Sequence, residues 1–264
     1  MSRVEAMEIQ GFATGPYKTN CYLLIEDGRC VVVDAGMHAF APVMDVLGKL
    51  DLELEAVVCT HGHIDHTRDA AQLANHFGVP VYIHPDDRFM LAGGDGVLPE
   101  TARLFDAATM TQPEEVCPLD DAAVVTLVGH DFRVAHAPGH SRGSVLLIAE
   151  EVVLSGDVLF RGSIGRTDLP YSDPEAMKKT LAGPVAALDD ALPVLPGHGP
   201  TTTVRAERAT NPFAGPFMRA AGGAGGTGDE ARHPESEAGG TGDEARHPES
   251  EAGGTGDEAR RPRK

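Results

Sequence analysis

The sequence predicts an α/β fold in which sheets pack together with helices outside, and three observations carry that expectation. Strand-like and helix-like runs interleave from the start, with "CYLLIE" (21–26), "CVVVDAG" (30–36) and then a helical stretch over about 39–50. Further on, strand-like runs follow one another without helices between them, at about 123–128, 131–136, 144–149 and 151–155. Apolar residues make up 41% of the 264, which suffices for a globular core once a polar terminal segment is set aside.

Each element has its own signal. A "DG" pair at 27–28 turns the first strand-like run into the second. "EAVVCT" (55–60) reads as a buried strand, and "TRDAAQLANHFG" (67–78) as a helix stopped by Gly78. "VPVYIH" (79–84) reads as the next strand. From Ala92 to Asp121, Gly, Pro and scattered apolar residues predict a lid or connection containing one short helix. A helix near 173–189 and a last strand, "ALPVLP" (191–196), complete a folded domain over 1–218. From Gly225 the chain reads "GGTGDEARHPESEA", repeats it at 239–252 and begins a third copy at 253. Repeats of 14 residues with no aliphatic side chain larger than Ala cannot bury a core, so 219–264 is predicted to be a disordered acidic tail.

Composition excludes several function classes. The net charge of −18, most of it carried before residue 219, repels phosphate backbones, so no nucleic-acid partner is expected. No 18-residue apolar run exists, so no membrane partner is expected either. The start "MSRVEAMEIQ" lacks a hydrophobic signal core, and Cys21, Cys30, Cys59 and Cys117 form no CxxC pair. Buried, reduced thiols in a cytoplasmic protein are the expectation; the oligomeric state leaves no trace in the sequence.

The chemistry concentrates at strand ends. In "CTHGHIDHTRD" (59–69), His61 and His63 stand two apart directly after a strand, where extended backbone puts both imidazoles on one side and within reach of one ion. Asp65 and His66 follow as the chain turns toward a helix, and can point to a second ion. Imidazole suits zinc and iron, while carboxylate neutralises charge and can bridge. Three similar positions follow: His140 in "APGHSRGS", Asp157 in "LSGDVLF" and His198 in "LPGHGP", each preceded by a glycine that permits a tight turn. Any one of these alone is an ordinary turn. The group at 61–66 is different, because four polar side chains at the end of a buried strand are costly to desolvate without a partner. A structural zinc site would use cysteines, and Cys59 is the only thiol nearby. His84 and His136 read as packed strand residues, and Cys59 as core.

"THGHIDH", "PGHS", "SGD" and "PGHG", in this order and spacing, resemble the metallo-β-lactamase superfamily. "GDVLFRGSIGRTDLP" (156–170) and "VLPGHGPTTTVRAERATNPF" (194–213) resemble its short glyoxalase II-like (hydroxyacylglutathione hydrolase-like) members, and the likeness spans residues 8–213. The resemblance implies an αββα sandwich, two mixed sheets flanked by helices, with metals at one sheet edge. It implies His61, His63 and His140 on a first metal, Asp65, His66 and His198 on a second, and Asp157 bridging both, so that Asp65 and Asp157 are the catalytic carboxylates. Asp34, in "VVVDAG", is then an aspartate that braces the ligands from behind. The implied cofactors are two divalent metal ions, zinc first, with iron or manganese as alternatives.

The implied reaction is hydrolysis of an S-acyl thioester, such as S-lactoylglutathione or a related thiol conjugate. A hydroxide generated at the metals near neutral pH attacks, and a thiolate leaves without a strong acid. Long glyoxalase II enzymes carry a helical C-terminal domain that contacts glutathione, and repeats stand in its place here, so the thiol carrier stays open. Arg142, Arg161, Arg166 and Tyr171, close in sequence to His140 and Asp157, are candidate contacts for an acidic substrate. The alternative is an iron-dependent persulfide dioxygenase, although "GRTDLP" and "PGHG" depart from the "GRTDFQ" and "PAHD" associated with that group. β-Lactamase activity and a non-catalytic metal-binding interaction module rank below both.

Overall fold

The computed structural model describes residues 7–93 and 97–223. A first sheet runs β1 (Glu8–Thr14), β2 (Thr19–Glu26), β3 (Arg29–Val33), β4 (Glu53–Val58), β5 (Val81–Ile83) and β6 (Val116–Pro118) in spatial order. The first three strands are antiparallel, and from β3 to β6 the neighbours are parallel. Parallel neighbours need crossovers, supplied by α1 (Phe40–Leu50), by the short α2 (Ile64–Thr67) and α3 (Ala70–Phe77), and between β5 and β6 by the connection that contains α4 (Pro99–Leu104). A second sheet has the order β14 (Thr202–Thr203), β13 (Pro193–Pro196), β10 (Val153–Gly156), β9 (Val145–Ile148), β8 (His130–His136) and β7 (Val124–Leu127). Only β10 and β13 pair parallel in it.

Period-2 patterning assigns each strand residue to a layer. Cys21, Leu23 and Ile25 of β2 pack outward with Val43 and Leu47 of α1 and Leu73 of α3. The intervening Tyr22 and Leu24 pack inward against Phe132, Val134 and Leu147 of the second sheet. On that sheet's outer face, Leu146, Val153 and Val194 meet α5 (Pro174–Ala182) and α7 (Gly215–Gly223) through Met177, Leu181 and Met218. The layers are therefore helix, sheet, sheet and helix, as the resemblance implied. Leu24 and Leu147 are fully buried between the sheets, and each such side chain contributes about 1.5–3 kcal/mol.

Some elements differ from the sequence reading. β1 is a half-exposed edge strand without a continuous apolar run, and β6 is three residues long, so neither had a visible signal. The helix expected over 173–189 stops at Ala182, because Gly183 takes a non-helical backbone and Pro184 follows it. α6 (Val204–Thr210) and α7 were not expected as helices. α7 carries ordered chain to Gly223, past the expected boundary at 218, with Met218 fully buried. The repeats expected to be disordered lie outside the described residues.

The fold brings its functional turns to one edge. β3 and β4 run parallel, as do β10 and β13, so the turns after each pair emerge at the same end. Backbone bonds stitch the sheets together there: Asn20 N–H donates to Gly197 O at 2.7 Å, and Val145 N–H to Thr60 O at 3.0 Å. Among the described residues, no helix is long and apolar enough to cross a membrane.

Candidate metal centre

The chain leaves β4 at Val58, bends at Thr60 and His61, and is extended again at His63, which occupies the N-cap of α2 with φ −62° and ψ 141°. That single turn of helix presents Asp65 and His66 back toward the strand end. His61 Nε2 lies 3.1 Å from His63 Nδ1, which lies 2.8 Å from His140 Nε2 in the β8–β9 turn. Beside this all-imidazole set stands a second one. His66 Nε2, His198 Nε2 and Asp65 Oδ2 are separated by 3.3, 3.5 and 3.2 Å. Asp157 reaches both: its Oδ1 is 3.3 Å from His66 Nε2, and its Oδ2 is 3.3 Å from His140 Nε2 and 3.5 Å from His198 Nε2. Two glycines make the approach possible. Gly156 adopts φ +46° where a Cβ would stand 2.4 Å from Thr60 Oγ1, and a Cβ on Gly197 would stand 2.2 Å from Asp157 Oδ1.

The outer hydrogen bonds decide which ring nitrogens are bare. His140 Nδ1 donates to Arg166 O at 2.9 Å, His198 Nδ1 to Tyr17 O at 3.2 Å, and His66 Nδ1 to Asp34 Oδ2 at 2.9 Å. Thr60 Oγ1 donates to Asp34 Oδ2 at 2.8 Å, so it accepts from His61 Nδ1 at 3.1 Å. Read from this network, the Nε2 atoms of His61, His66, His140 and His198 all present lone pairs inward. His63 Nε2 and Asp157 Oδ1 are buried without any hydrogen-bond partner. Lone pairs crowded at 2.8–3.5 Å repel one another unless a cation lies among them. A tetrahedral ion bonded at about 2.1 Å would hold its ligand atoms about 3.4 Å apart, so the donor set fits divalent metal ions.

The electrostatics point the same way. Burial lowers the pKa of His61 well below the ordinary histidine value, and burial together with the facing His140 lowers His63 to about 3, leaving both neutral as ligands must be. Burial would do the same to His66 and His198, but the carboxylates of Asp157, Asp65 and Asp34 around His66, and of Asp65 and Asp157 around His198, outweigh it and raise both, so a cation at this set would displace protons. Burial alone would raise Asp65 and Asp157, yet the surrounding histidines hold both below the usual carboxylate range. The ion-pair contacts of these two carboxylates are all with histidines. Two carboxylates packed this deep without Lys or Arg make a site that favours added positive charge.

The seven predicted side chains thus meet at one point, with Asp34 behind them on His66 and Thr60. The remaining expectations fare differently. Arg166 lines the adjoining cavity, but its guanidinium is held by Asp168 at 2.9 and 3.0 Å. Arg142 and Tyr171 do not line it: the guanidinium lies over the Tyr171 ring, 4.6 Å from its centre. Arg161, which is exposed, does not line it either. The hairpin of β11 (Leu159–Phe160) and β12 (Ser163–Ile164) carries Arg161 in its exposed turn. His84 and His136 stack face to face at 4.1 Å, and each engages a backbone group, Asp86 N–H and Arg142 O respectively. Sequence reasoning missed Thr60, and also Thr19, whose hydroxyl donates to Asp65 Oδ2 at 3.0 Å. Thr60 opens the "THGHIDH" run without a ligand-type side chain and Thr19 lies outside every motif, so only the folded contacts give them a role.

A cavity of about 580 Å³ opens onto the cluster. Its floor includes His63, Asp65, His140, Asp157 and His198, and its walls are chiefly apolar, formed by Val97, Leu98, Phe160, Ile164 and Leu169.

Comparison with known proteins follows this geometry. The family model described as the metallo-beta-lactamase superfamily matches residues 14–203. An uncharacterized protein of Mycobacterium tuberculosis is 40% identical over 218 residues, covering 78% of this chain and 97% of the relative. Hydroxyacylglutathione hydrolase GloC of Haemophilus influenzae is 33% identical over 213 residues, covering 78% and 98%. The crystal structure of the BLEG-1 B3 metallo-beta-lactamase superposes with a TM-score of 0.69 at 33% identity, covering 78% of this chain and 99% of that one. The crystal structure of TTHA1623 in a di-iron-bound form superposes at 0.68 with 37% identity, covering 77% and 99%.

Proposed function

The chain belongs to the metallo-beta-lactamase superfamily, and from that premise we propose that it is a dinuclear metal-dependent hydrolase of S-acyl thioesters, S-lactoylglutathione or a related thiol conjugate among them. In this reading His61, His63 and His140 hold one divalent ion, Asp65, His66 and His198 hold another, and Asp157 bridges them. Zinc is the first choice, with iron or manganese as alternatives, and the di-iron form of the relative TTHA1623 keeps iron in view. The observation that carries the thioester reading is the position of residues 156–170. This segment, whose sequence resembles the glyoxalase II-like members, supplies Phe160, Ile164 and Leu169 to the cavity above the seven ligands. The 33% identity to GloC supports it as well.

Bound metals would supply an activated water near neutral pH and an electrophilic centre for the carbonyl oxygen. The chain's own residues do the rest. Asp34 and Thr60 fix the tautomers of His66 and His61, so both present lone pairs without reorganising. Thr19 orients Asp65, and Asp157 spans the two sets from a backbone position that only glycine at 156 permits. The apolar walls take the acyl chain and exclude bulk water from the floor. A departing thiolate needs no dedicated acid, its conjugate acid having a pKa of about 8.5. The free, buried thiols of Cys21, Cys30 and Cys59 support a reducing compartment such as the cytoplasm.

The test is thiol release from S-D-lactoylglutathione by the metal-loaded protein, with His140→Ala as the control. Release that disappears in the control is the expected result. No release, combined with opening of a β-lactam or with oxygen uptake on glutathione persulfide, would replace the thioester reading with one of those reactions.

A further inference from the structure

Outside the ligand cluster, Asp87 is a buried carboxylate whose three hydrogen-bond donors all lie in the turns that carry the first ligand set. It is fully buried in the 3-10 turn Pro85–Ala92 that follows β5. Its Oδ2 accepts from Gly62 N–H at 2.8 Å and from Ser141 Oγ at 2.6 Å, and its Oδ1 accepts from Gly143 N–H at 2.7 Å. Gly62 lies between His61 and His63, while Ser141 and Gly143 flank the turn that carries His140. One carboxylate therefore ties together the two pieces of chain that supply the first ligand set, one from each sheet. The fit is close: a Cβ on Gly143 would stand 2.8 Å from Asp87 Cγ.

Local structure puts it there. β5 lies parallel beside β4, so the turn after β5 emerges next to the turn that carries His61 and His63. His84 caps the 3-10 turn through Asp86 N–H, and Pro85 starts it, which sets Asp87 facing the gap between the sheets. Three donors converge on a buried anion, and hydrogen bonds to a charged acceptor are among the stronger ones in proteins.

We propose that Asp87 is a positioning residue for the first metal: its carboxylate sets the distance between the His61–His63 arm and His140, and with it the affinity of the all-imidazole set. It touches neither ligand atoms nor cavity, so it acts through the loops alone. The proposal rests on the metal reading given above.

The test uses the full-length chain, freed of metal and titrated with Zn²⁺ against a chromophoric chelator, and separately with Co²⁺ followed by its visible absorption. Asp87→Asn is measured in a His198→Ala background, which leaves the first set intact, and in a His140→Ala background, which leaves the second. The amide keeps the volume of the carboxylate but turns an N–H₂ toward backbone N–H groups. The expected result is a 10–100-fold rise in the Zn²⁺ dissociation constant and an altered Co²⁺ spectrum in the first background, with little change in the second. Wild-type affinity and spectrum in folded Asp87→Asn would overturn the proposal, and so would equal weakening in both backgrounds. Ser141→Ala, which removes one of the three bonds, should weaken the first set a few-fold. If Asp87→Asn does not fold, wild-type affinity in Ser141→Ala overturns the proposal by itself. A chain that takes up no metal before any substitution refutes the metal reading as well, whereas normal uptake with an indifferent Asp87 refutes this inference alone.

Discussion

The two ligand sets lie side by side and are built differently. His61, His63 and His140 form an all-imidazole set in which burial holds the rings of His61 and His63 neutral. Asp65, His66 and His198 form a set with its own carboxylate, and the His198 side chain keeps 26% exposure. The first joins a loop of each sheet across a buried Asp87. The second joins α2 to the turn after β13, with Asp34 behind His66 and Thr19 behind Asp65. One site can therefore be tuned by how its loops are held and the other by its local charge, and Asp157 is the side chain that couples them.

Asp157→Ala removes the carboxylate that reaches both sets, so on the proposed reading bound metal should fall at both. Turnover should drop by at least about 10²–10³-fold, the range for losing one group that stabilises the transition state. Metal analysis and steady-state kinetics on one preparation check this, and retention of full metal content would break the coupling. Asp34→Ala should weaken both sets by about 10–100-fold, since the carboxylate orients His66 directly and His61 through Thr60. Thr60→Val should weaken the first set more than the second, and chelator competition separates the two cases.

A scaffold change should do the opposite. Leu147→Ala, between the sheets and far from any ligand atom, should lower stability by about 2–5 kcal/mol in denaturant unfolding of the metal-free chain while leaving metal stoichiometry unchanged. The smallest effect concerns the thiols. Burial pushes Cys30 up to about 12 and raises Cys21 and Cys59 well above the ordinary thiol range. Native protein should therefore show one readily modified thiol near pH 8, that of the half-exposed Cys117, and all four only after unfolding.

The sequence displays the site more fully than the architecture that holds it. Metal-type side chains at strand ends stand out because polar groups interrupt apolar runs there, and all seven converge in the fold. Asp34 stood out through family resemblance. Thr60, although inside "THGHIDH", and Asp87 were given no role, since a hydroxyl after a strand and an acid in "HPDD" look like ordinary turn residues until the second sheet arrives beside them. The layers followed from the interleaved strand-like and helix-like runs and from the family resemblance. β1, β6 and the last two helices escaped because they are short or half exposed. Arg142, Arg161 and Tyr171 were inferred from sequence distance, which does not show that Arg161 sits in a hairpin turn or that Arg142 lies over the Tyr171 ring.

The most direct measurement of the central claim is the number of metal ions bound per chain, by elemental analysis, in the unsubstituted protein, in His140→Ala and in His198→Ala. Two ions in the first and about one in each variant are the predicted result. A single ion in all three chains, or a content that neither substitution changes, would contradict a dinuclear centre built from these two sets.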